Sequence, residues 1–113
     1  MASQSDQAGF VDRLQRIVGR EHCLSDPANL YVYGSDALTL DPGSPALVVL
    51  PASTQEVAEV IRACREARRE FVPRGAGTGL SGGAHPTQDA VVISCMRMGA
   101  ILEIDERNRL ATI

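Results

Sequence analysis

Pro73-Arg74-Gly75-Ala76-Gly77-Thr78-Gly79-Leu80-Ser81-Gly82-Gly83 is the stretch on which the reading of this chain turns. Five of the nine residues from Gly75 to Gly83 are glycine. Each glycine forgoes about 0.5–1 kcal/mol relative to alanine, so five together cost about 2–5 kcal/mol. A small domain has only ~5–15 kcal/mol of net stability. Such a loop persists where Cβ atoms would clash or where a ligand must come close to the main chain. The second case lays bare a row of N–H donors, which suits phosphate oxygens. A tight structural turn needs one or two glycines, so an anion-binding loop is the stronger reading of Arg74, Gly75, Ala76, Gly77, Thr78, Gly79, Leu80, Ser81, Gly82 and Gly83.

The flanks show what carries the loop. Phe71-Val72-Pro73 reads as a short strand leading into it, and Ala90-Val91-Val92-Ile93-Ser94-Cys95 as a buried strand beyond it. Residues 74–89 show no regular pattern, and so long an irregular stretch inside a compact domain is usually functional or disordered. Upstream, Ala46-Leu47-Val48-Val49-Leu50-Pro51 is a Val-rich run bounded by prolines, a strand covered on both faces. Ser53-Thr54-Gln55-Glu56 fits a capping box, with Ser53 as N-cap and Glu56 reaching back. Val57, Val60, Ile61, Cys64 and Ala67 form the apolar stripe of the helix that follows. Arg62, Arg65 and Arg69 fall on its solvated face, where Glu66 lies within reach of Arg62 and Arg69. Strand, helix and strand make a βαβ unit with a right-handed crossover. Downstream, Ile101–Ile104 and Leu110–Ile113 flank the polar turn Asp105–Arg109 as a hairpin.

The remaining segments say less. Phe10, Val11, Leu14, Ile17 and Val18 recur at helical spacing and end at Gly19, which predicts an amphipathic helix from about Gly9 after a disordered tail over residues 1–8. Residues 20–45 read as a long connection. Tyr31, Tyr33, Ser35 and Asp36 cluster there and either pack the connection down or line a ligand.

Composition narrows the classes. The chain has 113 residues, 44% hydrophobic, with a net charge of −3, which argues against a nucleic-acid surface. All eleven basic residues are Arg, so no phosphate-binding or Schiff-base Lys is available. Cys23, Cys64 and Cys95 are odd in number and widely spaced, so reduced, buried thiols are expected rather than disulfides or a zinc site. His22 beside Cys23 has no second pair at ligand spacing, and no metal is expected. The N-terminus lacks a signal-peptide pattern, and no apolar run approaches the ~20 residues that span a bilayer. A cytoplasmic protein without a membrane span is the expectation.

Known phosphate grips can be tested directly. Gly77-Thr78-Gly79-Leu80-Ser81-Gly82 matches G-x-G-x-x-G, but that fingerprint must open a helix. Here it runs into Ala84-His85-Pro86-Thr87 and then a strand. Gly77 and Gly82 also have P-loop spacing, yet Gly83 and Ala84 stand where the Lys and the magnesium-binding hydroxyl are needed. What remains is a loop that grips a diphosphate through main-chain amides without a helix behind it.

Leu50-Pro51, the helix capped at Ser53, the glycine stretch and Val91-Val92-Ile93 together resemble the PCMH-type FAD-binding domain of the vanillyl-alcohol-oxidase-like flavoproteins. Within that group the chain looks most like the flavin subunit of glycolate oxidase and the FAD-linked D-lactate dehydrogenases. Tyr33-Gly34-Ser35-Asp36 and Met98 with Ile101-Leu102-Glu103-Ile104-Asp105 fit the same family. The resemblance covers residues 24–113, following a tail and amphipathic helix over 1–23. It implies an α/β (α+β) fold. A small three-stranded parallel βαβ layer over 46–95 would have flanking helices and the glycine loop at 73–83. The hairpin at 101–113 would begin an antiparallel second layer. FAD would lie between the layers, its pyrophosphate over Gly75–Gly83, with Arg74 as loop anchor or phosphate neighbour. Several relatives bond a His of this loop covalently to flavin; Thr78 stands at that position, which implies dissociable FAD. His85 is a second candidate for flavin contact.

The implied chemistry is oxidation of a 2-hydroxy acid, glycolate or D-lactate, with an electron acceptor or further subunits as partners. The groups that handle substrate would lie beyond Ile113, so no catalytic residue is assigned here, and these residues alone are expected to be inactive. The competing expectation is a non-catalytic interaction module that self-associates through its hairpin edge.

Overall fold

Runs of Val and Ile with no polar alternation suit a strand that is covered on both faces. A computed structural model describes residues 4–26, 47–76 and 90–113, and in it these runs form β2 (Leu47–Val49) and β4 (Val91–Ser94), buried throughout. A third strand, β3 (Phe71–Arg74), pairs in parallel with β4, with Phe71 opposite Val91 and Arg74 opposite Ser94. β2 pairs in parallel with the other side of β4, Val48 opposite Val92. The expected three parallel strands are therefore present, but β4 lies between the two strands of the βαβ unit. Among the described strands β3 lies at the edge, the place where Pro73, which has no N–H to donate, is tolerated.

A short strand, β1 (Cys23–Leu24), extends the sheet antiparallel to β2, giving the order β1-β2-β4-β3. The sequence reading placed these residues at the start of a connection. A boundary between residues 23 and 24 runs through β1. The rest of that connection, with Tyr31, Tyr33, Gly34, Ser35 and Asp36, lies outside the described residues.

The N-terminal helix α1 spans Gln4–Val18 and so takes in residues expected to be a tail. Its extra turn makes a tertiary contact. Gln7 accepts a hydrogen bond from Arg69 at 2.6 Å, and most helical stability in proteins comes from such packing rather than from propensity. The second helix, α2, spans Thr54–Glu66. The capping box is present: Ser53 Oγ accepts from Glu56 N at 3.2 Å. Glu56 Oε2 reaches back to Ala52 N at 2.7 Å, one residue further than the usual box. At the other end Arg69 N donates to Cys64 O and Arg68 N to Arg65 O. That is a Schellman stop, with Arg68 at φ 55 where glycine is usual.

One core joins these elements. Phe10, Leu14 and Val18 of α1 meet Val60, Ala63 and Cys64 of α2 over Leu47, Val49, Val91 and Ile93 of the sheet. Ala63 is buried and Ala67 is exposed, the reverse of the stripe read from spacing, because Ala67 is already the C-cap residue. Arg69 is half-buried rather than solvated, with its guanidinium 5.1 Å from the centre of the Phe10 ring. Glu66 pairs with Arg13 of α1 rather than within its own helix. Cys23 and Cys64 are buried free thiols as expected, whereas Cys95, just past the end of β4, is exposed.

The hairpin is β5 (Glu103–Asp105) with β6 (Leu110–Thr112), Ile104 opposite Ala111. Asp105 holds its turn, accepting from Asn108 N at 3.1 Å and from Asn108 Nδ2 at 2.8 Å. These bonds keep the Asp105 carboxyl below its ordinary pKa. Alternation puts Leu102, Ile104, Ala111 and Ile113 on one hairpin face. Leu102, Ile104 and Ile113 are 71%, 66% and 83% exposed.

Candidate functional site at the carboxyl edge of the sheet

Parallel strands bring their carboxyl ends to one edge of a sheet, and open α/β sheets bind ligands in the crevice outside that edge. Here β2 runs out through Leu50-Pro51-Ala52 to Ser53 at the start of α2. β3 runs out through Arg74 to Gly75, and β4 through Ser94 to a turn at Cys95–Met98. The first two residues of the glycine motif thus emerge at that edge, beside the central strand.

Arg74 is 9% exposed, and its carbonyl accepts from Cys95 N at 2.8 Å. That bond continues the β3–β4 ladder by one residue and fixes the point from which the loop departs. Gly75 is exposed, and a Cβ built on it meets none of the described residues within 4 Å. Neither packing by the described residues nor a left-handed backbone demands glycine at this position. Open space over the main chain is the arrangement expected where a ligand approaches closely. Ala76 is exposed beside it. Gly77, Thr78, Gly79, Leu80, Ser81, Gly82, Gly83 and His85 lie outside the described residues.

The turn after β4 is closed by Met98 N donating to Cys95 O at 2.9 Å and by Met96 N donating to the buried Ser94 Oγ at 3.4 Å. From it Arg97 Nη1 reaches Leu50 O at 2.8 Å. A cavity of about 320 Å³ opens at the same edge, between the start of α2 (Ser53, Thr54), Arg97 and Met98 of the turn, and Leu102 and Ile113 of the hairpin. Sequence reading passed over Arg97, because a single arginine after a strand has no periodic or motif signal.

Burial raises the Cys64 thiol to about 11, with Arg69 pulling it partly back, and raises Cys23 as well. Neither is poised as a thiolate nucleophile. Among the described residues no three His, Cys, Asp or Glu side chains group as metal ligands, and no helix is long and apolar enough to cross a membrane.

Residues 45–113 match a family model described as an FAD binding domain. The chain is 37% identical over 102 residues to the glycolate oxidase subunit GlcD of Bacillus subtilis, covering 90% of this chain and 22% of the relative. It is 34% identical over 96 residues to the mitochondrial D-2-hydroxyglutarate dehydrogenase of Arabidopsis thaliana, covering 85% of this chain and 17% of the relative. It thus spans about a fifth of the length of these curated relatives. Among solved structures, 4-ethylphenol oxidase from Gulosibacter chungangensis superposes with a TM-score of 0.81 at 24% identity, over 94% of this chain and 21% of that one, a likeness of fold.

Proposed function

The chain belongs to the FAD binding domain family, with FAD as its cofactor, and from that premise we propose that it is the flavin-holding segment of an oxidoreductase acting on a 2-hydroxy acid. The observation that carries the reading is the departure of the glycine motif from the carboxyl edge of β3, with open space over Gly75. The substrate class is supported by the glycolate oxidase subunit and the D-2-hydroxyglutarate dehydrogenase, both named for 2-hydroxy acids. Glycolate and D-lactate are the substrates to test first.

FAD, when bound, supplies an acceptor for the hydride that leaves C2 of the hydroxy acid. The residues of this chain bind and orient. Main-chain N–H groups of the 75–83 segment are assigned to the pyrophosphate, and Arg74 anchors the loop to β4. With Thr78 in place of a flavin-bonded His, attachment is non-covalent. We assign no substrate base or carboxylate clamp to these residues, which alone should not turn over a hydroxy acid. A cytoplasmic location and an electron acceptor or partner subunit belong to the same proposal.

The test is purification of the complete protein, followed by its absorbance spectrum and dye reduction with glycolate or D-lactate. A yellow protein that releases flavin on acid precipitation and reduces dye with one of these acids is expected. A colourless protein that takes up no added FAD would overturn the reading, and flavin retained in the acid pellet would overturn non-covalent attachment.

A second reading, a non-catalytic interaction module, is favoured by the exposed face of Leu102, Ile104 and Ile113. FAD titration separates the two: saturable binding supports the flavin segment, and none leaves the scaffold.

A further inference from the structure

The turn after the central strand is tied to both neighbours of that strand. On one side Cys95 N holds Arg74 O at 2.8 Å, immediately before Gly75. On the other Arg97 Nη1 holds Leu50 O at 2.8 Å, one residue past the end of β2. The β2–β4 ladder pairs Leu47–Val49 with Val91–Ile93, so Leu50 lies beyond its last pair. Pro51 next to it has no N–H with which to extend the ladder. The guanidinium ties the turn to the chain just past β2, where the ladder has ended.

From this geometry we infer that Arg97 is a positioning residue for FAD. It sets the spacing between the departure of the glycine loop and the Leu50–Ser53 segment that leads into α2, without itself binding the cofactor. The inference rests on the flavin-holding reading above. Arginine suits this role because it stays charged, donates a charge-assisted bond, and reaches across the width of a strand pair. The bond is exposed and the sheet has its own ladders on both sides of β4, so the fold does not depend on it. That separates a positioning role from a structural one.

The experiment compares the complete wild-type protein with Arg97→Ala and Arg97→Lys. Read-outs are the FAD Kd from flavin fluorescence, the visible circular dichroism of bound flavin at saturation, and the melting midpoint of the apo-protein. Arg97→Ala is expected to raise Kd about tenfold and to alter the flavin dichroism, with an apo midpoint close to wild type. Arg97→Lys, which keeps a charged donor, should recover most of both. If Arg97→Ala binds FAD with wild-type Kd and dichroism, the inference fails. It also fails if the apo midpoint falls while Kd and dichroism are preserved, since Arg97 is then a strut. If the alanine variant does not fold, Arg97→Lys against Arg97→Gln decides: equal Kd values overturn the inference, and a weaker Gln variant supports it. If the wild-type protein takes up no FAD, it is the functional reading that has failed, and this one with it.

Discussion

Replacing Gly75 by alanine separates what the protein needs from what its ligand needs. Among the described residues no atom lies within 4 Å of the position that the added methyl group would take, and Gly75 does not have a positive φ. The fold should therefore accept the methyl group. A Gly→Ala change at a compatible site stabilises by about 0.4–1 kcal/mol, because the unfolded chain has fewer conformations to lose. The apo-protein should melt at or slightly above the wild-type midpoint. If a diphosphate rests against this main chain, the same methyl group stands between its oxygens and the amide, and displacing them to reach past it lengthens hydrogen bonds to a charged partner. Losing one such bond costs about 1.5–3 kcal/mol, and each ~1.4 kcal/mol is a tenfold change in Kd. The expected rise in FAD Kd is therefore on the order of 10- to 100-fold. Thermal unfolding without FAD and fluorescence titration with it, on the same preparations, give both numbers. Unchanged affinity would refute close approach of the cofactor at residue 75. A loss of apo stability would refute the claim that the backbone is unstrained there.

Ser53→Ala removes the acceptor for Glu56 N and should destabilise by about 1 kcal/mol in urea melts, with Ser53→Gly costing only a few tenths. The raised Cys64 pKa means that the folded state holds its thiol proton more tightly than the unfolded state, whose ordinary value is 9.0. The stability it contributes is complete below about pH 9 and is lost as pH rises through about 11. Cys64→Ala should flatten that step in a series of alkaline melts. At high concentration the 113-residue chain should self-associate through Leu102, Ile104 and Ile113, and Ile104→Asp should shift its sedimentation towards monomer. A compact wild-type monomer would contradict this.

The features legible in the sequence are those whose causes are local. The Val-rich runs, the Ser53–Glu56 box and the polar turn at Asp105–Arg109 each fix their element within a few residues. The stretch that begins at Arg74 and Gly75 stands out for the same reason, since a glycine-dense run after a strand needs no distant partner to be noticed. The misreadings have distant causes. Helical spacing alone puts Arg69 in solvent because Phe10 and Gln7, which it covers, lie some sixty positions earlier. Spacing gives Glu66 neighbours in its own helix, whereas Arg13 across the helix pair takes it. β1 has two residues and no pattern; only its pairing with β2 makes it a strand. Arg97 gains meaning only when Leu50, 47 residues away, comes within reach.

The placement of β4 also has a consequence for how the protein is made. Residues 91–94 sit between strands that are synthesised earlier, at 47–49 and 71–74. As the chain leaves the ribosome, β2 and β3 emerge with a vacant slot between them and no rungs of their own to share. At about 5–20 residues per second, that slot stays open for seconds after β3 appears. During that interval the valines of β2 depend on the two helices for shelter, and closing the sheet is the act of the last strand to arrive.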